Sequence, residues 1–143
     1  MEKLEDIIFY TLEKAIRKYR QYAQKELKNA GYTITIDQWL ITKQILENPG
    51  ISQQELSEKV FKDNASVTRM IELLSKANYL TRQIDNGDRR RTNLQVTPQG
   101  IKVITDVNKI IMRNRSTALK GIGDAEVSNT QKVLNAIIAN CNN

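Results

Sequence analysis

Apolar residues recur at steps of three to five from the start of the chain. Leu4, Ile8, Leu12, Ala15, Tyr19, Tyr22 and Leu27 share one helical face, and Ile7, Ile16 and Ala23 widen the stripe. The pattern predicts one long helix ended by Gly31. A second helix starts at Thr35, where Thr35 and Gln38 have the spacing of a capping box, and stops at Asn48-Pro49-Gly50. A third, over about 52–60, carries Ser52 and Glu55 at the same spacing, with Ile51 and Leu56 as a hydrophobic staple. After a break at Phe61-Lys62-Asp63, a fourth spans about 64–77, capped by Asp63 or Asn64. Val67, Met70, Ile71, Leu73 and Leu74 should face inward there, leaving Asn64, Ser66, Thr68, Arg69 and Glu72 on a polar outer face.

The period then changes from helical to alternating. Leu80–Ile84 and Thr92–Val96 read as strands on either side of Asn86-Gly87, a strong hairpin signal. Asn78 before them tolerates the left-handed backbone that ends a helix. Thr97-Pro98 opens a long helix to about Lys120 with Ile101, Ile104, Val107 and Ile111 as its stripe. Gly121 and Gly123 bracket a turn, and a final helix covers about 124–140 with Val127, Val133, Leu134, Ile137 and Ile138 apolar. The fold class is therefore mainly α with a small antiparallel hairpin, an α+β arrangement in which long helices flank a compact centre.

Composition narrows the chemistry. The 143 residues contain no histidine and one cysteine, Cys141. That removes the commonest general base and every Ser-His or Cys-His pair, and leaves no tetrahedral zinc site within one chain. No metal or cofactor is expected. No apolar run approaches the length of a membrane span and no signal-peptide core is visible, so a cytoplasmic location is expected. The net charge is +6, and its densest cluster is Arg89-Arg90-Arg91 at the hairpin tip. A basic balance favours nucleic acid as a partner. Two short helices with a tight break, then a basic hairpin, have the order of a winged helix-turn-helix.

The stretch Asp88-Arg89-Arg90-Arg91-Thr92-Asn93-Leu94-Gln95-Val96-Thr97-Pro98-Gln99-Gly100 resembles the wing signature of the MarR winged helix-turn-helix regulators, D-x-R followed by L-x-[LV]-T-x-x-G. Ser66-Val67-Thr68-Arg69 is similar to the family's recognition helix, and Ile51-Ser52-Gln53-Gln54-Glu55-Leu56 to the helix before it. The resemblance implies a homodimer in which residues 1–32 and 101–143 form a helical dimerisation region around a DNA-binding domain at 33–100. It implies a transcriptional regulator, in most such proteins a repressor, that binds pseudo-palindromic double-stranded DNA and is released by a small aromatic or phenolic effector. Carried over by position, Ser66, Thr68 and Arg69 face the major groove. Arg90 reads the minor groove from a wing at 85–92, Asp88 supports it, and Arg89 and Arg91 meet the backbone. No effector-binding residues are assigned.

The chain departs from the family in places. Asn78 stands where glycine is usual, a small change because asparagine adopts the same backbone. The first helix lacks the cysteine of the redox-sensing branch, and Cys141 reads as a bystander. Two competing classes remain. A winged-helix interaction module without DNA binding leaves the three arginines unexplained. An enzyme built on Asp85 and Asp88 has no second catalytic group around it.

Overall fold

The computed structural model describes residues 1–84, Gly87 and 92–142, with Ile84 and Thr92 described through their backbone only. A 3-10 turn at Leu4–Asp6 precedes α1 (Ile8–Asn29), α2 (Ile36–Glu47), α3 (Gln53–Val60) and α4 (Asn64–Lys76). Strands β1 (Leu80–Ile84) and β2 (Thr92–Val96) follow, then α5 (Pro98–Ala118) and α6 (Asp124–Cys141). The strands pair antiparallel from Leu80↔Val96 to Ile84↔Thr92, as the alternation anticipates. The long first helix is not continuous. Ile7 is extended (φ −87°, ψ 119°), so the first turn is separate from α1.

The core forms where α2, α3, α4 and the base of the hairpin converge. Ile41, Leu56, Val60, Val67, Ile71, Leu74 and Leu80 are buried in one cluster with Leu94. Each such side chain contributes about 1.5–3 kcal/mol on burial. The cluster continues through Ile104, Val107, Ile110 and Ile111 of α5 to Leu27 of α1. Two expected inward positions are exposed instead. Leu73 is 46% exposed, and Ile101 is 47% exposed while Ile110 takes a core place. In each case the stripe is wider than the surface that neighbouring elements cover.

The helix starts follow their cap chemistry. Both arms of the Thr35–Gln38 box are made, at 3.1 Å each. At α3 only half is: Ser52 Oγ accepts from Glu55 N at 3.1 Å, without the return bond from Glu55. Asp63, not Asn64, caps α4, accepting from the Ser66 backbone N–H at 2.7 Å and from its hydroxyl at 3.0 Å. Those two bonds, the backbone one foremost, hold the Asp63 carboxyl below its ordinary pKa of 3.8.

A second joint fixes the hairpin. Asn78 is left-handed (φ 63°) and ends α4 as expected. Thr97 then binds across the chain: its N–H donates to the Tyr79 carbonyl at 3.0 Å and its hydroxyl to the Asn78 carbonyl at 2.6 Å. The same hydroxyl oxygen accepts from Gly100 N at 2.9 Å and caps α5. Gly100 is buried against Tyr79. A Cβ there would overlap the Tyr79 carbonyl oxygen and lie 2.8 Å from Val96 Cγ1.

Large apolar side chains remain outside this core. Leu4, Ile8, Phe9 and Ile16 at one end of the chain, and Val133 and Ile138 of α6, are each more than half exposed. Helix α6 has no buried residue among those described.

Gly100→Ala should destabilise the protein by about 1–3 kcal/mol or more through overpacking, lowering the midpoint of thermal unfolding; an unchanged midpoint contradicts the close approach. Asp63 should make stability depend on acid pH. Because its folded pKa is depressed, its contribution is complete above the ordinary value and lost as pH falls through the lowered one. The melting temperatures of the wild type and Asp63→Ala should therefore differ at neutral pH and draw together as the pH falls below the ordinary carboxylate value.

Candidate nucleic-acid interface

Helix α4 presents the outer face that its sequence pattern suggests, but its polar side chains have unequal freedom. Ser66 is half-buried and its hydroxyl is committed to Asp63. Thr68 is half-buried too. Its hydroxyl donates to the Asn64 carbonyl at 2.8 Å and accepts from Gln53 Nε2 of α3 at 2.5 Å. Arg69 is exposed and forms no ion pair among the described residues. The face therefore has one unengaged guanidinium, set beside hydroxyls whose first duty is structural. Asp88, Arg89, Arg90 and Arg91 lie outside the described residues.

The angle between α3 and α4 is set by polar as well as apolar contacts. Besides the Gln53–Thr68 bond, Ser57 Oγ donates to Asn64 Oδ1 at 2.6 Å. Gln53 and Ser57 are four residues apart, hence on one face of α3, and both reach the first two turns of α4. The sequence pattern assigns neither a role. Their spacing marks them as neighbours on one face, but not what that face meets. The turn between the helices contains Phe61 in the left-handed region (φ 60°), a strained conformation for a bulky residue, and Phe61 is 85% exposed.

An ion-pair cluster connects this pair of helices to α1. Asp37, in the first turn of α2, accepts from Arg20 Nη1 of α1 at 2.9 Å through Oδ1. Its other oxygen faces Lys62 Nζ at 3.6 Å, in the α3–α4 turn. Asp37 is about a quarter exposed.

Arg20 also borders a partly open cavity of about 170 Å³ between α1, α2 and α5. Tyr19, Trp39, Leu40 and Ile111 give it aromatic and aliphatic walls, and Arg115 supplies a second guanidinium. Trp39 is buried, and its indole N–H has no hydrogen-bond partner among the described residues. An engineered apolar cavity of about 150 Å³ accommodates benzene, so this one has room for a single ring. Tyr19 lies on the apolar stripe of α1, and Trp39 lies on α2. They serve as wall residues here, and their distance in sequence from Ile111 and Arg115 hides the site from a reading of the chain alone.

Comparisons with known proteins agree with this geometry. Residues 34–92 match the MarR family model. A putative transcriptional regulatory protein for the hcr operon of Thauera aromatica is 26% identical over 118 residues, spanning 82% of this chain and 70% of that protein. The structure of BpsR from Bordetella bronchiseptica, described in terms of regulation of its DNA binding by 6-hydroxynicotinic acid, superimposes with a TM-score of 0.85 at 18% identity over 96% of each chain. CouR from Rhodococcus jostii RHA1, solved bound to p-coumaroyl-CoA, superimposes with a TM-score of 0.81 at 19% identity, covering 96% of this chain and 95% of that one. No helix among the described residues is long and apolar enough to cross a membrane. Residues 34–92 thus carry a domain that matches the MarR family of transcriptional regulators, and the winged-helix fold of such regulators is shared along almost the whole length of the chain.

Proposed function

We propose that the protein is a homodimeric, sequence-specific double-stranded DNA-binding regulator, acting as a repressor that a small ligand releases. The observation that carries the reading is the free, exposed Arg69 on a helix whose first two turns are bonded to α3 through Gln53 and Ser57. A recognition helix must enter the major groove with its donors held in register, and these bonds supply the register. In this reading Arg69 contacts a base edge, while Ser66 and Thr68 contribute their remaining lone pairs nearby. The wing brings Arg90 to the minor groove, with Asp88 supporting it and Arg89 and Arg91 at the phosphates.

The dimerisation region, residues 1–32 and 101–143, would cover the exposed apolar side chains of the first turns and of α6. A twofold protein presents the same helix twice, hence the expectation of a pseudo-palindromic operator. The cavity between α1, α2 and α5 is the proposed effector site. Its aromatic walls and two guanidinium groups suit a one-ring aromatic or phenolic acid. The ligands named for BpsR and CouR, 6-hydroxynicotinic acid and p-coumaroyl-CoA, both carry such a ring.

Two measurements test this. Light scattering at micromolar concentration should give close to twice the chain mass of 16.4 kDa; a value near the chain mass itself contradicts the dimer. Affinities for operator and random duplex over a salt series should separate helix from wing. Arg69→Ala should cost about 1–3 kcal/mol and relax preference at one position per half-site. Arg90→Ala should weaken binding to nearly all duplexes, because minor-groove readout is largely degenerate, and its lost charge should reduce the salt slope by about one per half-site through fewer released counterions. Uniform weakening by Arg69→Ala, or a single-base effect of Arg90→Ala with the slope intact, reverses the assignment.

A further inference from the structure

Asp37 stands where three parts of the molecule meet, and we infer that it is the positioning residue through which the cavity acts on the recognition helix. This rests on the proposed DNA-binding function. One carboxylate serves two cations from different elements: Oδ1 takes Arg20 on the cavity wall, and Oδ2 faces Lys62. Lys62 directly precedes Asp63, whose side chain starts α4, and its backbone N–H is tied to the Ser57 carbonyl of α3 at 3.1 Å. Because Gln53 and Ser57 bind α3 to α4, a pull on Lys62 moves both helices as one body.

A carboxylate shared between two cations is a natural point of exchange. An anion entering the cavity competes with Asp37 for Arg20, and Arg115, which lines the same cavity from α5, adds to the attraction. Once Arg20 turns to the ligand, α1 no longer anchors Asp37, and the carboxylate belongs to Lys62 alone. The ion-pair tie from α1 to the helix-turn-helix is then cut, leaving the Ile36 N–H bond to Gln24 Oε1 at 3.0 Å as the remaining polar tie at this end of α2, so the two recognition helices of a dimer hold their separation less firmly. A neutral ligand of the same shape does not compete for Arg20 and leaves the tether intact.

Arg20→Gln imitates the captured state without any ligand, which makes the relay testable on the full-length protein alone. Affinity for a duplex selected from a random pool is measured for the wild type, Arg20→Gln, Lys62→Gln and the double variant, with Arg20→Lys as the charge-retaining control. Partly exposed ion pairs are worth up to about 1 kcal/mol, so Arg20→Gln should weaken binding about threefold to fivefold. The same substitution should have no further effect once Lys62 is already Gln, and Arg20→Lys should retain most of the wild-type affinity. Matching circular dichroism spectra and melting curves establish that the variants fold. Equal affinity of wild type and Arg20→Gln overturns the relay, and so does an equal loss with or without Lys62. Failure of the wild type to bind any duplex instead overturns the DNA-binding reading itself.

Discussion

The Tyr79 carbonyl holds the helix-turn-helix and hairpin half of the molecule together. It accepts the Thr97 N–H at the base of the hairpin, and Gly100 leaves it room on the other side. At this point the end of α4, the bases of both strands and the start of α5 come within one hydrogen-bonded joint. The Thr97 hydroxyl extends the joint by donating to Asn78 and accepting from Gly100. A helix that reads one groove and a wing that reaches the next can cooperate only if their spacing is fixed. The joint fixes it with backbone atoms and one small side chain, leaving little to rotamer freedom. The T-x-x-G part of the wing signature is thus structural, and in the proposed function the chemistry of DNA contact falls to residues on either side of it.

The remaining architecture divides between rigid and adjustable contacts. The apolar core of α2, α3 and α4 is closely packed, and cores of this kind deform little. Some of the contacts that bind this unit to α1 are different in kind: beside the apolar packing of Leu27, the Arg20–Asp37–Lys62 cluster is polar and partly solvated. Ion pairs in such places contribute little stability, but they can be exchanged at small cost. A regulator needs both a reading head that keeps its shape and an attachment that can be altered. Rows of exposed apolar residues at both ends of the chain complete the picture on the proposed dimer, which would bury them.

Much of the fold is legible in the sequence because its punctuation is strong. Thr35, Ser52, Asp63 and Thr97 all cap helices, and Asn78 adopts the left-handed turn that its residue type suggests. The pattern misleads where it names a face without naming its neighbour. Leu73 and Ile101 lie at the margins of apolar stripes, and periodicity cannot say where the neighbouring element stops. The Ser52–Glu55 box is half made because the exposed Glu55 side chain forms no bond back to the cap. Spacing puts residues 66, 68 and 69 on the outer face of α4, but the bonds that distinguish Arg69 from its neighbours come from α3. The cavity and the Asp37 cluster are invisible in the sequence for the same reason, since each is assembled from three or more separated segments.

In the proposed function two copies of α4, held in one register by the fold, read DNA as a symmetric pair. Selection of bound sequences from a random duplex pool tests this directly. The expected result is inverted repeats whose half-sites lie about 10–10.5 bp apart from centre to centre, one turn of the double helix. Enriched sequences without inverted symmetry, or no enrichment at all, would contradict it.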